Sequence, residues 1–499
     1  MLCISFLVSF CFAGTAKADV TINATNFPDS VFRKYVQDHF DKDKDNTLNE
    51  NEVKYAYAVV VNSQGISSLK GIELLSNLKM IYCESNNLTS LNVSKNAALT
   101  TIYCKNNQLS ALNVGSNANL QVLSCSDNKL SKLDVSKNTK LTRLECQNNN
   151  LSSLNVANNT ELTNLLCSNN SLSSLDVTKN TKLQLLACHK NKIASLNVSQ
   201  SKNLMTLSCS DNQLKSLDVR SNVLLKKLSC YRNLLSALDV TKNTALTELL
   251  CFENNLSSLD VSKNTALKDL QCNSNRLTSL DVSNNVNLET LFCNNNQIAA
   301  LNVRENKNLQ TLWCFLNSLH ALDVSQNTAL TTFFCHSNTT KITSPSIRNN
   351  LSALSDFDVS KASKWTDGEV SGSILTMMNS GTVDYEYDCG NGKTAVFTLD
   401  ITVENIPDMI LPASLTTVKD EAFMNTAGTV VLIPNTVKTI GSRAFYGSKN
   451  LRAVYIPSSV TSIGSNAFAG CANSLLILGT RGSYAETWAS NNGFTFREG

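Results

Sequence analysis

One period governs this chain. A cysteine returns every 21 residues from Cys83 to Cys335, thirteen times without a slip. Five residues before each stands a leucine, from Leu78 to Leu330, and three residues after each an asparagine, from Asn86 to Asn338. Leu120 to Lys140, LQVLSCSDNKLSKLDVSKNTK, states the unit cleanly. A unit of this size cannot close a core alone and must stack on its neighbours.

The form LxxLxCxxNxL is the signature of leucine-rich repeats, and each position has a physical role. Leu120, Leu123 and Cys125 are expected to point inward, the last two from a short strand whose residues alternate between core and solvent. Asn128 turns the chain and offers its amide to backbone groups of neighbouring turns that would otherwise lack partners. Leu130, Leu133 and Val135 fill the rest of the cross-section. The tail, Ser136 to Lys140, is too short and too polar for a helix. The predicted fold is therefore a repeat solenoid with a parallel β-sheet on its concave face, strands stacked about 4.8 Å apart.

Thirteen cysteines in a chain that reads as exported raise the question of disulfides. The plainer reading makes each thiol a small apolar core residue in a leucine's place. In-register side chains stay about 4.8 Å apart, outside the usual Cβ separation of a bridge. No CxxC pair offers zinc-ligand spacing. Buried free thiols are expected, with disulfides or metal as the alternatives.

Residues 1–18 read as a secretion signal, the apolar run LCISFLVSFCF being followed by Ala16-Lys17-Ala18. That run is too short to span a bilayer, and no later stretch is apolar enough. Residues 19–65 form a small helical N-terminal cap. Phe27, Val31, Phe32, Tyr35, Val36 and Phe40 recur at helical spacing. The helix runs into DKDKDNTLNENE, where positions 1, 3, 5 and 12 of a calcium-binding hand fall on Asp41, Asp43, Asp45 and Glu52. Thr47 would add its backbone carbonyl. Asn46 stands where glycine usually makes the sharp turn, and asparagine tolerates positive φ better than most residues. The bland alternative is a solvated acidic loop. Calcium is the only cofactor the sequence brings forward.

The 21-residue turns occupy residues 66–342, opening on an incomplete turn at 66–77. Residues 343–406 lose the repeat leucines and read as a β-rich cap or connector. Val383 to Asp388 and Thr394 to Val403 form a hairpin there around Cys389-Gly390-Asn391-Gly392. Gly390 to Thr394 imitates the end of a phosphate loop, but the first glycine is missing and a strand follows, so it is a turn. A second repeat fills residues 407–499, with Pro412, Pro434 and Pro457 and the pairs Ala422-Phe423, Ala444-Phe445 and Ala467-Phe468 at spacings of 22 and 23. Ser483 to Asn491 reads as a short closing helix.

Variation concentrates on the strand residues that face solvent. Tyr231, Phe252, Phe292, Trp313, Phe315 and Phe334 place large aromatics there on neighbouring strands, and such a patch needs an explanation. It is either a platform for a partner or a surface the following segment covers. The charge balance, 43 basic against 40 acidic residues for a net +3, argues against a nucleic-acid surface. His39, His189, His320 and His336 lie in no metal spacing or nucleophile motif, and GxSxG and HExxH are absent. The chain does not read as an enzyme.

Residues 66–342 resemble the cysteine-containing repeats of internalin J-like bacterial surface proteins. Residues 407–499 resemble the shorter repeats of BspA-type surface proteins, and the leading segment resembles the calcium-hand-like caps that precede such arrays. The resemblance implies a secreted or surface-associated protein that recognises a protein or glycan on a host cell, a biofilm or another bacterium.

Overall fold

A computed structural model describes residues 19–499; the secretion signal read at 1–18 lies outside the described residues. The chain forms two compact units, Met1–Asn275 and Arg276–Gly499.

In the first unit each turn spends only three residues on a strand, as in Val122–Ser124. Its middle residue, Leu123, is fully buried, and by the alternation of a pleated strand Val122 and Ser124 take the other face, where Val122 is half-buried and Ser124 is covered. From Met80–Tyr82 to Asp269–Gln271 these strands pair in parallel, residue i opposite residue i+21. Cys125 lies one residue past the strand rather than inside it. Its N–H still donates to the Glu145 carbonyl of the next turn at 2.8 Å, so the pairing and the inward direction carry on. Two residues beyond each cysteine the backbone turns through a left-handed residue, Asp127 at φ 54° and Lys190 at φ 53° among them. Leu120, Leu123, Cys125, Leu130 and Val135 are completely buried, and Leu133 nearly so.

Two asparagine columns tie the turns together. Asn128 Nδ2 donates to the carbonyls of Cys104 (3.1 Å), Cys125 (3.2 Å) and Ser126 (3.0 Å), while its Oδ1 accepts from Leu109 N at 2.9 Å. Asn138 belongs to a second column that the reading of the tail as merely polar did not foresee. It is fully buried and donates to the carbonyls of Val114 (3.0 Å) and Asn117 (2.9 Å) in the preceding turn.

The sheet begins earlier than the repeats do. Ala58–Val60, inside the segment read as cap, pairs in parallel with Met80–Tyr82. Ahead of it lie helix α1 (Ser30–His39), capped by Asp29, and helix α2 (Glu50–Tyr55), opened by an Asn49/Glu52 capping box. Phe27, Phe32 and Val36 fill the space beneath α1, whereas Val31 is exposed despite its place in the helical spacing. Tyr35 Oη accepts the Val60 N–H at 3.0 Å, and Asp29 Oδ2 accepts from Ser67 N at 2.9 Å, which fastens the cap to the first turn.

In the second unit, Thr290–Phe292, Thr311–Trp313 and Thr332–Phe334 pair in the same way. The repeat then gives way to the strand Asn338–Ser344, which runs parallel to Lys393–Val403. That strand forms the expected hairpin with Gly381–Gly390. The hairpin performs the next turn's hydrogen bonding. Cys389 O accepts from Val324 N at 2.8 Å, and Asn391 Nδ2 donates to Asn327 O at 2.9 Å, as the next buried asparagine of a regular turn would. Beyond it, Met409–Ile410, Val430–Leu432, Ala453–Ile456, Leu476–Gly479 and Thr495–Glu498 stack in parallel around the ring column Phe423, Phe445 and Phe468. The expected helix, Tyr484–Asn491, is capped by Ser483, but it does not close the array: Thr495–Glu498 follows it and supplies the last strand.

Candidate binding face

An in-register parallel ladder puts equivalent side chains of successive turns directly beside one another. On the outward face of the strands, aromatic residues at equivalent positions therefore stack. In the first unit Tyr231 and Phe252 lie with ring centres 4.2 Å apart and 7° from parallel. Tyr82 and Tyr103, at the third strand position, stack at 5.3 Å. In the second unit Phe292 and Trp313 stack at 4.2 Å, Phe334 meets Trp313 edge-on at 5.7 Å, and Phe315 lies 6.2 Å from Trp313.

The structure adds a residue to this group. His336 stacks on Phe315 at 4.8 Å and 11°, because it occupies the same position one turn later. Its place 21 residues after Phe315 was the signal. Phe334 is 45% exposed, while Phe292, Trp313 and Phe315 are half-buried against each other. The aromatic residues of the following segment pack elsewhere. Phe357, Trp365, Tyr385, Tyr387 and Phe397 contact one another, with His320 against Phe357. Among the described residues none of these rings touches the Phe292–Phe334 group.

The charged residues on the outward side are largely paired. Lys227 meets Glu248 at 2.8 Å and Arg232 meets Glu253 at 2.9 Å. One Ser–His contact appears that the sequence did not announce: Ser208 Oγ lies 3.0 Å from His189 Nδ1. Burial and the Lys190 charge hold the His189 imidazole below its ordinary pKa. A hydrolytic triad needs a third group orienting the other ring nitrogen, and no such carboxylate bonds His189 among the described residues. In the second unit a polar cavity of about 650 Å³ is lined by Arg304, His320, Asp323, Asp358, Lys361 and Tyr387, with Arg304 and Asp323 paired at 2.8 Å.

The acidic loop of the cap brings some of its expected ligands together. Carboxylate oxygens of Asp41, Asp43 and Asp45 converge within 4.8 Å of one another. Asn46, at the position where glycine was wanted, has φ 64°. Thr47 N and Oγ1 both donate to Asp45 Oδ1, at 2.7 and 2.8 Å. Glu52 does not join the three: Oε1 accepts from Lys42 N and Oε2 from Asn49 N. Desolvation first, and then the charges of Asp45, Glu52 and Asp41, raise the Asp43 pKa above its ordinary value.

Comparison with known proteins follows this geometry. The BspA type leucine-rich repeat region matches residues 402–480, in six copies. The functional domain of InlJ from Listeria monocytogenes, described as including a cysteine ladder, is 26% identical with a TM-score of 0.54, over 78% of this chain and 99% of that one. An internalin, InlF, from the same organism is 24% identical with a TM-score of 0.57, over 64% and 98%. A leucine-rich-repeat protein of Leptospira interrogans is 26% identical with a TM-score of 0.52, over 58% and 80%. No curated protein matches the chain by sequence. Stacked parallel turns, buried leucine columns and asparagine ladders define a leucine-rich-repeat solenoid protein. More particularly, the chain resembles the internalins, InlJ with its cysteine ladder among them, and matches BspA type leucine-rich repeats over residues 402–480.

Proposed function

We propose that this is a secreted or surface-associated bacterial recognition protein that binds a protein partner through the aromatic residues on the outward face of its short strands. The observation that carries the reading is the second-unit group Phe292, Trp313, Phe315 and Phe334. Phe292 stacks on Trp313, Phe334 meets Trp313 edge-on, Phe315 lies beside Trp313 two residues past the strand, and Phe334 is left 45% exposed. Buried aromatic anchors dominate interface energies, and half-buried neighbours that hold them in place lower the entropic cost of ordering on binding. Tyr231 and Phe252 offer a second, smaller contact of the same kind. Export is supported by the leader read at residues 1–18, and no helix among the described residues is long and apolar enough to cross a membrane. Binding rather than catalysis is supported by the repeating leucine, cysteine and asparagine columns being spent on packing, while large aromatics gather at outward positions.

The test is a partner captured from host or biofilm surface extracts and then titrated against variants. Phe334→Ala is expected to weaken binding at least about tenfold, or about 1.4 kcal/mol, with an unchanged melting temperature because the ring is exposed. Tyr484→Ala, an exposed aromatic on the helix Tyr484–Asn491, is expected to leave affinity unchanged. Equal affinities for wild type and Phe334→Ala would remove the platform. Phe334-dependent binding to a glycan array, with no protein captured, would move the reading to a polysaccharide.

A further inference from the structure

We propose that the cap is a divalent-cation site, selective for calcium over magnesium, whose occupation tightens the end of the first unit. Three aspartates at alternate residues bring carboxylate oxygens within 4.8 Å of one another, the arrangement with which a hard cation replaces part of its water shell. The second observation is Asp41. Its side chain is only 6% exposed, Oδ2 accepts the Asn46 N–H at 3.0 Å, and Oδ1 is buried with no donor at all. A buried carboxylate oxygen without a partner is costly, and a cation between Asp41, Asp43 and Asp45 supplies what it lacks.

The fold around the loop prepares it. Asn46 N–H is already committed to Asp41, and the loop's exit strand, Thr47–Leu48, pairs with Val20–Thr21. One hand is thereby braced by a strand of the chain itself. Glu52 is held in the capping box of α2 and on Lys42 N, so the three aspartates carry the charge. With fewer charged ligands than a full hand, the affinity expected is that of weak extracellular sites, a Kd of about 10⁻⁴–10⁻³ M. The loop joins α1, whose Tyr35 caps the Val60 N–H of the first strand and whose capping Asp29 holds Ser67. Calcium bound there steadies the cover of a sheet edge that would otherwise present unpaired backbone groups.

Hydrogen exchange of the full chain, with 10 mM CaCl₂, 10 mM MgCl₂ or chelator at matched ionic strength, tests this. At ten times Kd, bound calcium multiplies protection of the sites it holds about elevenfold. Slowing of at least about fivefold over residues 38–52, with slower exchange also at the Val60 and Ser67 amides, seen with calcium and not magnesium, is the expected result. Asp43→Ala removes an exposed carboxylate whose two hydrogen bonds, from Asp45 N and Asn49 Nδ2, are both long at 3.4 Å. It is expected to exchange like wild type in chelator and to lose the calcium effect. The proposal is overturned if calcium leaves residues 38–52 unchanged, if magnesium acts equally, or if the slowing survives in Asp43→Ala.

Discussion

Asn138 and Ser201 occupy the same position in turns three periods apart, and the difference between them measures what the inner asparagine column contributes. Asn138 Nδ2 serves two carbonyls of the preceding turn, Val114 and Asn117, at 3.0 and 2.9 Å. Ser201 is equally buried, but its shorter side chain reaches only Asn180 O, at 3.4 Å. Val177 O then keeps only the turn bond from Asn180 N. A net intramolecular hydrogen bond is worth about 1 kcal/mol, and a buried group left without one costs more. Ser201→Asn is therefore expected to stabilise the chain by about 1–2 kcal/mol in denaturant unfolding, and Asn138→Ala to destabilise it by about 2–3 kcal/mol. A lower midpoint for Ser201→Asn would show that neighbouring side chains have closed the space an asparagine needs. This column was present in the sequence, since eleven of twelve turns from Asn96 to Asn327 carry asparagine there. A polar tail conceals it, because asparagine is ordinarily a surface residue. Its constancy beside variable neighbours was the sign of burial.

At the level of the element, the cysteine ladder couples stability to pH. The repeat thiols are buried, and burial pushes those of Cys104, Cys146, Cys188 and Cys272 up to about 12. A thiol freed by unfolding ionises near pH 8.5. Because the folded value is the higher one, the contribution is fully present below about pH 8.5 and is lost as pH climbs toward 12. Each thiol that only the folded state keeps protonated costs about 1.4 kcal/mol per pH unit in that window. The ten repeat thiols of the first unit, Cys83 to Cys272, are all raised by burial and together make the dependence steep. Circular dichroism is expected to show a sharp alkaline transition between about pH 9 and 11 that moves upward when several ladder cysteines become alanine or valine. Thiolate is the reactive form, so ladder thiols should stay silent to a coloured reagent at pH 8 until denaturant is added. Full reaction of the folded chain at pH 8 would show that the thiols are not shielded. The register of this ladder was legible from the period alone. The hairpin's part was not: Asn391 and Cys389 complete the hydrogen bonds of the last turn from 64 and 65 residues away, and no period links them to it.

Across the whole molecule, both repeat systems could be read because each declares its own period, 21 residues in one and 22 to 23 in the other. The outward aromatic columns were legible for the same reason, since a fixed period dictates which rings become neighbours. How far each ring is exposed was not, because it depends on what stacks on either side: Trp313 lies between Phe292 and Phe334, while Phe334 has only the inner neighbour. The last expectation concerns charge. A net +3 over 499 residues gives no strong field to steer a partner, and the outward charges of the first unit, Lys227 with Glu248 and Arg232 with Glu253, already neutralise each other. Recognition through aromatic rings then rests on burial rather than on long-range attraction, which salt screens beyond about 10 Å at 0.1 M. Affinity for the captured partner is expected to change less than about threefold between 50 and 500 mM NaCl, while Phe334→Ala costs at least about tenfold at either concentration. Counterion release on a phosphate backbone would instead weaken binding by orders of magnitude over such a range. A steep, linear fall of log affinity with log salt, unaffected by Phe334→Ala, would place recognition on charged residues and away from the rings.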